Sequence, residues 1–156
     1  MQGHDVLFSS EKQDWETPPK LYNFFHERYN FNIDLSASAE NTKCEKYFDA
    51  EIDALKQDWT GLRGWCNPQY DMTKHFIQKA ATSNGLYALL VPSRTDLPWF
   101  HDYVLPFASE IWYLRGRVRF VGATNSAPFP SLVVVYGSTR QWESGPTIHA
   151  LWHKNL

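Results

Sequence analysis

Short apolar segments bounded by turn residues recur along the chain, and they constrain its fold more than any other feature of the sequence. They are four to seven residues long, which is typical of buried strands and far below the roughly 20 residues of a membrane-spanning helix. Segments with apolar residues at helical spacing lie between them. This alternation predicts an α/β fold with a mixed, mostly parallel sheet flanked by helices. The predicted strands are residues 31–35, 63–66, 86–92, 110–114 and 131–137, with an edge strand within 147–153.

Two of the helical segments carry start and end signals. The first helix is predicted at about 18–29, with Thr17 as its cap and Pro18 in its first turn. The second is predicted to begin at Asp71 and to stop at Gly85. Shorter helices are predicted within residues 50–59 and 96–104.

Length and composition narrow the class of protein. The 156 residues predict a single domain over 1–156, with residues 1–12 flexible and no separate target-recognition domain. Two cysteines outside a CxxC arrangement predict neither a disulfide framework nor a metal site. The start has no basic and apolar leader, so we expect a soluble, cytoplasmic protein that does not enter the membrane. The net charge of −2 gives no overall attraction to nucleic acid, so phosphate binding would need a local patch.

The quartet NPQY, residues 67–70, stands between a predicted strand and a predicted helix. Pro68 restrains the backbone and offers a carbonyl without an N–H. The side-chain oxygen of Asn67 and the carbonyl of Pro68 could accept both hydrogens of a planar amino group, while Tyr70 offers a ring for stacking. Taken alone, Asn-Pro usually marks a plain turn. In this position it predicts a site for an aromatic amine such as adenine, which must leave the duplex to reach it.

Arginines supply the local positive charge that the overall composition lacks. Arg115, Arg117 and Arg119 alternate in RGRVRF and would share one face of a strand, although a solvated hairpin is the alternative. Arg94 follows a predicted strand directly. These four side chains are candidates for contacts with DNA phosphates or with the target base.

Six segments that follow one another in the chain closely resemble the phage-associated DNA N-6-adenine methyltransferase (Dam) family. They are NIDLSASAENTKCEKYF, QDW, WCNPQY, PSRTDLPWFHDYV, RGRVRF and APFPSLVVVYG, and the likeness covers about residues 14–137. NPQY itself resembles the Asn/Asp-Pro-Pro-Tyr/Phe motif of amino methyltransferases that use S-adenosylmethionine. The resemblance implies a compact Rossmann-like fold and methyl transfer from that cofactor to the N6 amine of a flipped adenine in DNA.

The resemblance also implies roles for individual residues. Asn67, Pro68 and Tyr70 match the catalytic motif. Asp34 resembles the acidic residue that holds the amino acid end of the cofactor, and Asp58 resembles the one that accepts from its adenine amine. The implied cofactor contacts are Trp15, Thr17, Pro18, Asp34, Asp58 and Trp59.

Two departures from the family pattern leave alternatives open. Gln69 replaces the second proline of the motif, which bears on substrate preference. The usual glycine-rich cofactor loop is replaced by LSASAEN, residues 35–41, where Ser and Ala must allow the close backbone approach. The same chemistry on RNA or on a protein glutamine amide remains an alternative, as does a catalytically inactive nucleic-acid-binding module. The oligomeric state is also open, a homodimer included.

Overall fold

The computed structural model describes residues 15–139 and 144–156, so the expectation of flexibility over residues 1–12 lies outside the described residues. A six-stranded sheet runs through the described part, and none of its helices is long and apolar enough to cross a bilayer. Within the described residues there are two α-helices, α1 (Pro19–Tyr29) and α2 (Thr73–Ala81). The strands are β1 (Ile33–Asp34), β2 (Arg63–Cys66), β3 (Leu86–Pro92), β4 (Glu110–Leu114), β5 (Ser131–Tyr136) and β6 (Thr147–Leu151).

The sheet is mixed and mostly parallel, as the sequence predicts. Its strand order is β1-β2-β3-β5-β4-β6, and the pairs β1–β2, β2–β3 and β4–β6 are parallel. β5 is antiparallel to both of its neighbours. Five of the six described strands therefore end at one edge of the sheet, which we call the carboxyl edge, and β5 begins there.

The core lies on both faces of the sheet because the central strands are apolar at nearly every position. Ala88 and Leu90 of β3 face α1, whereas Leu89 and Val91 face α2. All of these side chains are buried, as is every residue of β5. Burial on both faces explains why the two strands read as continuous apolar runs rather than as alternating ones.

The start of α1 differs from the sequence prediction. Its N-cap is Pro18, whose carbonyl accepts the N–H groups of Leu21 and Tyr22 at 3.1 and 3.2 Å. The prediction that Thr17 caps this helix is wrong, because the Thr17 hydroxyl accepts a hydrogen bond from Asn67 instead. The helix depends on its buried apolar stripe and on Pro18 rather than on a side-chain cap.

Both ends predicted for α2 are also wrong. A 3-10 turn (Tyr70–Met72) precedes the helix, which begins at Thr73, and Asp71 does not cap it. The helix ends at Ala81, before Gly85. Gly85 serves a close approach rather than a helix stop, since a Cβ there would lie 2.6 Å from the carbonyl oxygen of Leu62.

The remaining predictions are confirmed in part. Most of residues 50–59 is irregular, and the only helical turn in that segment is Ala54–Lys56, so the helix proposed there is wrong. The short helix within 96–104 is present as a π-helical turn, Phe100–Val104. Residues 115–120 join no strand, yet their arginines are exposed while Val118 and Phe120 are buried.

Candidate active site

The carboxyl edge gathers the polar residues that the sequence singles out. β1 ends at Asp34, Asn67 follows β2 directly, and Arg94 lies two residues beyond β3. β5 runs the other way, so Phe129, just before its first residue, comes to the same edge. Residues far apart in the chain thus meet at the ends of neighbouring strands.

Asn67 is held in one orientation by the segment that precedes α1. Its amide nitrogen donates to the backbone carbonyl of Trp15 and, at 3.1 Å, to the hydroxyl of Thr17. Thr17 is 2% exposed, so this anchor is shielded from water. Because the nitrogen serves these two acceptors, the amide oxygen Oδ1 is the atom that can accept from another group.

A small aromatic pocket lies beside this anchored amide. We call it the motif pocket; its volume is about 20 Å³. The Tyr70 ring lies 5.5 Å from the Phe129 ring at an interplanar angle of 40°. Phe129 therefore covers part of the surface on which a ring would stack. The pocket is lined by Trp15, Asn67, Pro68, Tyr70, Leu90, Val91, Pro92, Phe120, Phe129 and Ser131.

Asp34 is buried beside Asn67, in a narrow cleft that both residues line. One carboxylate oxygen accepts the N–H of Ser36 at 3.2 Å and the other accepts the N–H of Lys43 at 3.0 Å. Burial raises the pKa of Asp34 to about 6, although these two hydrogen bonds and the nearby Lys43 charge act to lower it. The carboxylate thus fixes the loop that follows β1.

The loop after β1 and the motif together line an open cavity at this edge. We call it the edge cavity; its volume is about 470 Å³. Backbone and side chains of residues 36–38 form one wall, and Met72 and Phe76 form another. Three acidic residues, Asp49, Glu51 and Asp53, also line it. None of these acidic residues is among the predicted site residues, although their clustering in FDAEID, residues 48–53, is visible in the sequence.

Gln69 faces the edge cavity and is absent from the lining of the motif pocket. Gln69 is the one position at which the quartet departs from the family motif. It therefore adjoins a different cavity from Asn67, Pro68 and Tyr70. The sequence linked Gln69 to substrate preference, but its position on the edge cavity does not favour that link.

Asp58 and Trp59 are not brought to the motif. They precede β2, at the opposite edge of the sheet from Asn67. Trp59 is 1% exposed, and its indole N–H donates to the Ala54 carbonyl at 3.0 Å. Asp58 is exposed and accepts the N–H of Thr60 at 2.9 Å. Trp59 supports the edge cavity from behind, through Ala54, while the position of Asp58 does not favour a cofactor contact.

The candidate DNA-binding arginines lie at the carboxyl edge but differ in their contacts. Arg94 makes a two-point ion pair with Asp96, at 3.1 and 3.2 Å, and hydrogen bonding to Asp96 and to Tyr70 raises its pKa. Arg115 lies over the Trp152 ring at 4.9 Å. Arg119 donates to the Ala123 carbonyl at 3.2 Å, and Arg117 is exposed.

The sheet topology and a polar site at the carboxyl ends of its strands define a Rossmann-like α/β protein, a class in which ligands bind at this edge. A family model described as DNA N-6-adenine-methyltransferase (Dam) matches residues 6–142, and the chain belongs to that family. The resemblance found in the sequence is thereby confirmed.

Two relatives carry the name DNA N-6-adenine-methyltransferase. One, from Haemophilus phage HP1, is 29% identical over an alignment of 165 positions, and the match covers 94% of each chain. The other, from Escherichia phage T1, is 28% identical over 130 residues, which cover 80% of this chain. The chain spans 55% of the length of the phage T1 relative and nearly the whole of the phage HP1 relative.

Proposed function

We propose that this chain transfers a methyl group from S-adenosylmethionine to the N6 amine of adenine in DNA. The observation that carries the proposal is the Asn67 amide, which is anchored through its nitrogen and lines both the aromatic motif pocket and the narrow cleft beside Asp34. The family match and the names of both phage relatives support the same reaction.

The proposed chemistry rests on holding the amine rather than on a strong base. The N6 lone pair of adenine is delocalised into the ring, so the amine is a weak nucleophile. Acceptance of both amino hydrogens, by Asn67 Oδ1 and the Pro68 carbonyl, favours a pyramidal nitrogen with its lone pair available. Alignment with an already activated methyl group then accounts for most of the rate, as in other reactions dominated by proximity.

The edge cavity fits the proposed cofactor. Its 470 Å³ falls within the roughly 300–1,000 Å³ of typical small-molecule sites. Phe48 and Phe76 offer apolar surface for a purine, and Asp49 and Asp53 offer acceptors for ribose hydroxyls or a base amine. When bound, S-adenosylmethionine supplies a methyl group on a positively charged sulfur. We assign to Asp49 and Asp53 the accepting role that the resemblance implied for Asp58.

Asp34 keeps its proposed role at the amino acid end of the cofactor. Each of its oxygens accepts one backbone N–H, and a carboxylate has about four acceptor positions in total. Capacity therefore remains for a ligand ammonium group. Trp15, Thr17 and Pro18 complete this side of the site by fixing Asn67 and the entry to α1.

DNA binding is proposed along the carboxyl edge. The target adenine stacks on Tyr70 after Phe129 moves from its present contact with that ring. Arg94, Arg115, Arg117 and Arg119 supply a local positive surface on a chain whose net charge is −2. We propose that the chain acts as one domain, in the cytoplasm where phage DNA is accessible, and a homodimer is compatible with this arrangement.

The test is Asn67→Ala, assayed with plasmid DNA and S-adenosylmethionine. Chromatography of the digested DNA should yield N6-methyladenine with wild type and none with the variant, while calorimetry shows that cofactor binding persists. Asn84→Ala is the control, since Asn84 is exposed and precedes β3 at the opposite edge. Activity of Asn67→Ala would refute its role. Methylated product found only on RNA or on protein glutamine would mean that the acceptor is not DNA. Absence of cofactor binding in wild type would favour the catalytically inactive nucleic-acid-binding module.

A further inference from the structure

A second cavity adjoins the motif pocket and has no part in the proposed transfer. Residues 123–129, together with Trp15 and Phe120, enclose about 260 Å³, which we call the loop pocket. Trp15, Phe120 and Phe129 line both pockets. The two spaces are therefore separated by a single layer of aromatic rings.

The composition of the loop pocket suits a nucleobase. Its inner walls are aromatic, and base–aromatic stacking is favourable for every base. Thr124, Asn125 and Ser126 are exposed and line the pocket with hydroxyl and amide groups. Such groups hydrogen-bond to base edges, and an amide can pair with a base in two-point fashion. The volume is below that typical of drug-sized ligand sites and suits one planar ring system.

The loop that forms this pocket is tied down by backbone hydrogen bonds. The N–H of Ala127 donates to the Val118 carbonyl at 2.8 Å, and the N–H of Ala123 donates to the Phe120 carbonyl at 3.1 Å. Val121 is bridged to Glu16, next to the segment that anchors Asn67. The pocket is thus preformed without a ligand, and its position relative to the motif is fixed.

We propose that the loop pocket binds a second nucleobase of the DNA, the neighbour of the target adenine on the same strand, and so reads flanking sequence. The inference rests on the proposed function. Consecutive bases are joined by one phosphodiester, which matches two pockets that share a wall. Arg117 and Arg119, which precede the loop, are placed to hold the phosphates of this strand.

The first experiment measures sequence preference. Duplexes with randomised bases on both sides of a central adenine are methylated and the modified molecules are sequenced. Wild type should show a preference at one adjacent position, and Asn125→Ala should reduce that preference about tenfold, the equivalent of a lost two-point base contact. Asn84→Ala, an exposed asparagine at the opposite edge, should leave the preference unchanged.

The second experiment measures binding. Wild type should lose about tenfold in affinity for a duplex whose base next to the target is removed. Ser126→Phe, which fills the pocket from an exposed position, should bind intact and abasic duplexes equally. Adenine methylation without flanking preference and without an abasic penalty would overturn this inference and leave the proposed function standing. Absence of adenine methylation on every duplex would overturn both.

Discussion

Asn67→Asp tests how the catalytic amide is held. In wild type the Asn67 nitrogen donates to the Trp15 carbonyl and to the Thr17 hydroxyl. An ionised carboxylate places an oxygen at that position and cannot donate. The Thr17 hydroxyl can turn and donate to it, but the Trp15 carbonyl cannot. In the contact with Thr17 the donor and acceptor therefore exchange roles, and the contact with Trp15 becomes repulsive.

The cost can be worked from these contacts. Trp15 is half-buried, and replacement of the donor to its carbonyl by an oxygen costs up to about 1–3 kcal/mol. Asp34 lines the same cleft, so the introduced carboxylate also meets a like charge. We expect the variant to lose ~2–4 kcal/mol of unfolding free energy at neutral pH.

Protonation of the introduced carboxyl restores a donor toward Trp15, so its pKa in the folded state lies above the value of about 3.9 in the unfolded chain. A raised pKa means that the folded state binds more protons in this window. The loss of unfolding free energy in Asn67→Asp, relative to wild type, should therefore be small near pH 4 and grow as the pH rises through the folded-state pKa.

Urea denaturation of wild type, Asn67→Asp and Asn67→Ala at about pH 4.5 and about pH 8 gives the assay, since these values lie roughly 0.6 and 4 units above the unfolded pKa. Asn67→Ala removes both donated hydrogen bonds at every pH. Its loss of unfolding free energy relative to wild type should therefore change little with pH. Equal pH dependence of the two variants would refute the reasoning, because it would mean that the Trp15 carbonyl does not distinguish a donor from an acceptor.

Three further predictions concern other contacts at this edge and at the opposite one. Gln69→Pro should weaken S-adenosylmethionine binding about fivefold in calorimetry, the equivalent of one lost hydrogen bond, and unchanged affinity would contradict its place on the edge cavity. Wild type should lose stability as the pH rises from about 4 to 6, because burial raises the pKa of Asp34 to about 6, and Asp34→Asn should flatten that slope in thermal unfolding. His149→Ala breaks a 2.8 Å bond to buried Glu110 and should cost about 1–3 kcal/mol in urea denaturation, whereas His153→Ala, which breaks an exposed 3.2 Å bond to the Gly116 carbonyl, should cost less.

The sequence predicts the sheet better than the helix ends because strand burial leaves a direct mark on composition. The runs at 63–66 and 86–92 coincide with β2 and β3, which are buried on both faces. Whether a polar side chain caps a helix depends on which hydrogen-bond partner it contacts in the folded chain. Thr17 is a suitable cap by type, but Asn67, fifty positions away in the chain, uses its hydroxyl instead.

The site was predictable where it follows strand ends and unpredictable where it follows a loop. Asp34 and Asn67 terminate neighbouring parallel strands, so their meeting follows from the fold class. Asp49 and Asp53 lie in a long irregular connection, and no periodicity locates their side chains at the edge cavity. The role of Asp58 was implied by the family resemblance, yet Asp58 precedes β2 and so lies at the far edge of the sheet.

The reversal of β5 has a consequence for how this enzyme family can vary. β4 ends and β5 begins at the carboxyl edge, so the segment between them, residues 115–130, leaves and returns on the same side of the sheet. It carries Arg115, Arg117 and Arg119 and every lining residue of the loop pocket except Trp15. If the loop pocket reads flanking sequence as proposed, exchange of this segment alone should alter which DNA sequence is methylated while the six-stranded sheet and the Asn67 anchor remain intact. Natural variation and engineered changes of target sequence should both concentrate there.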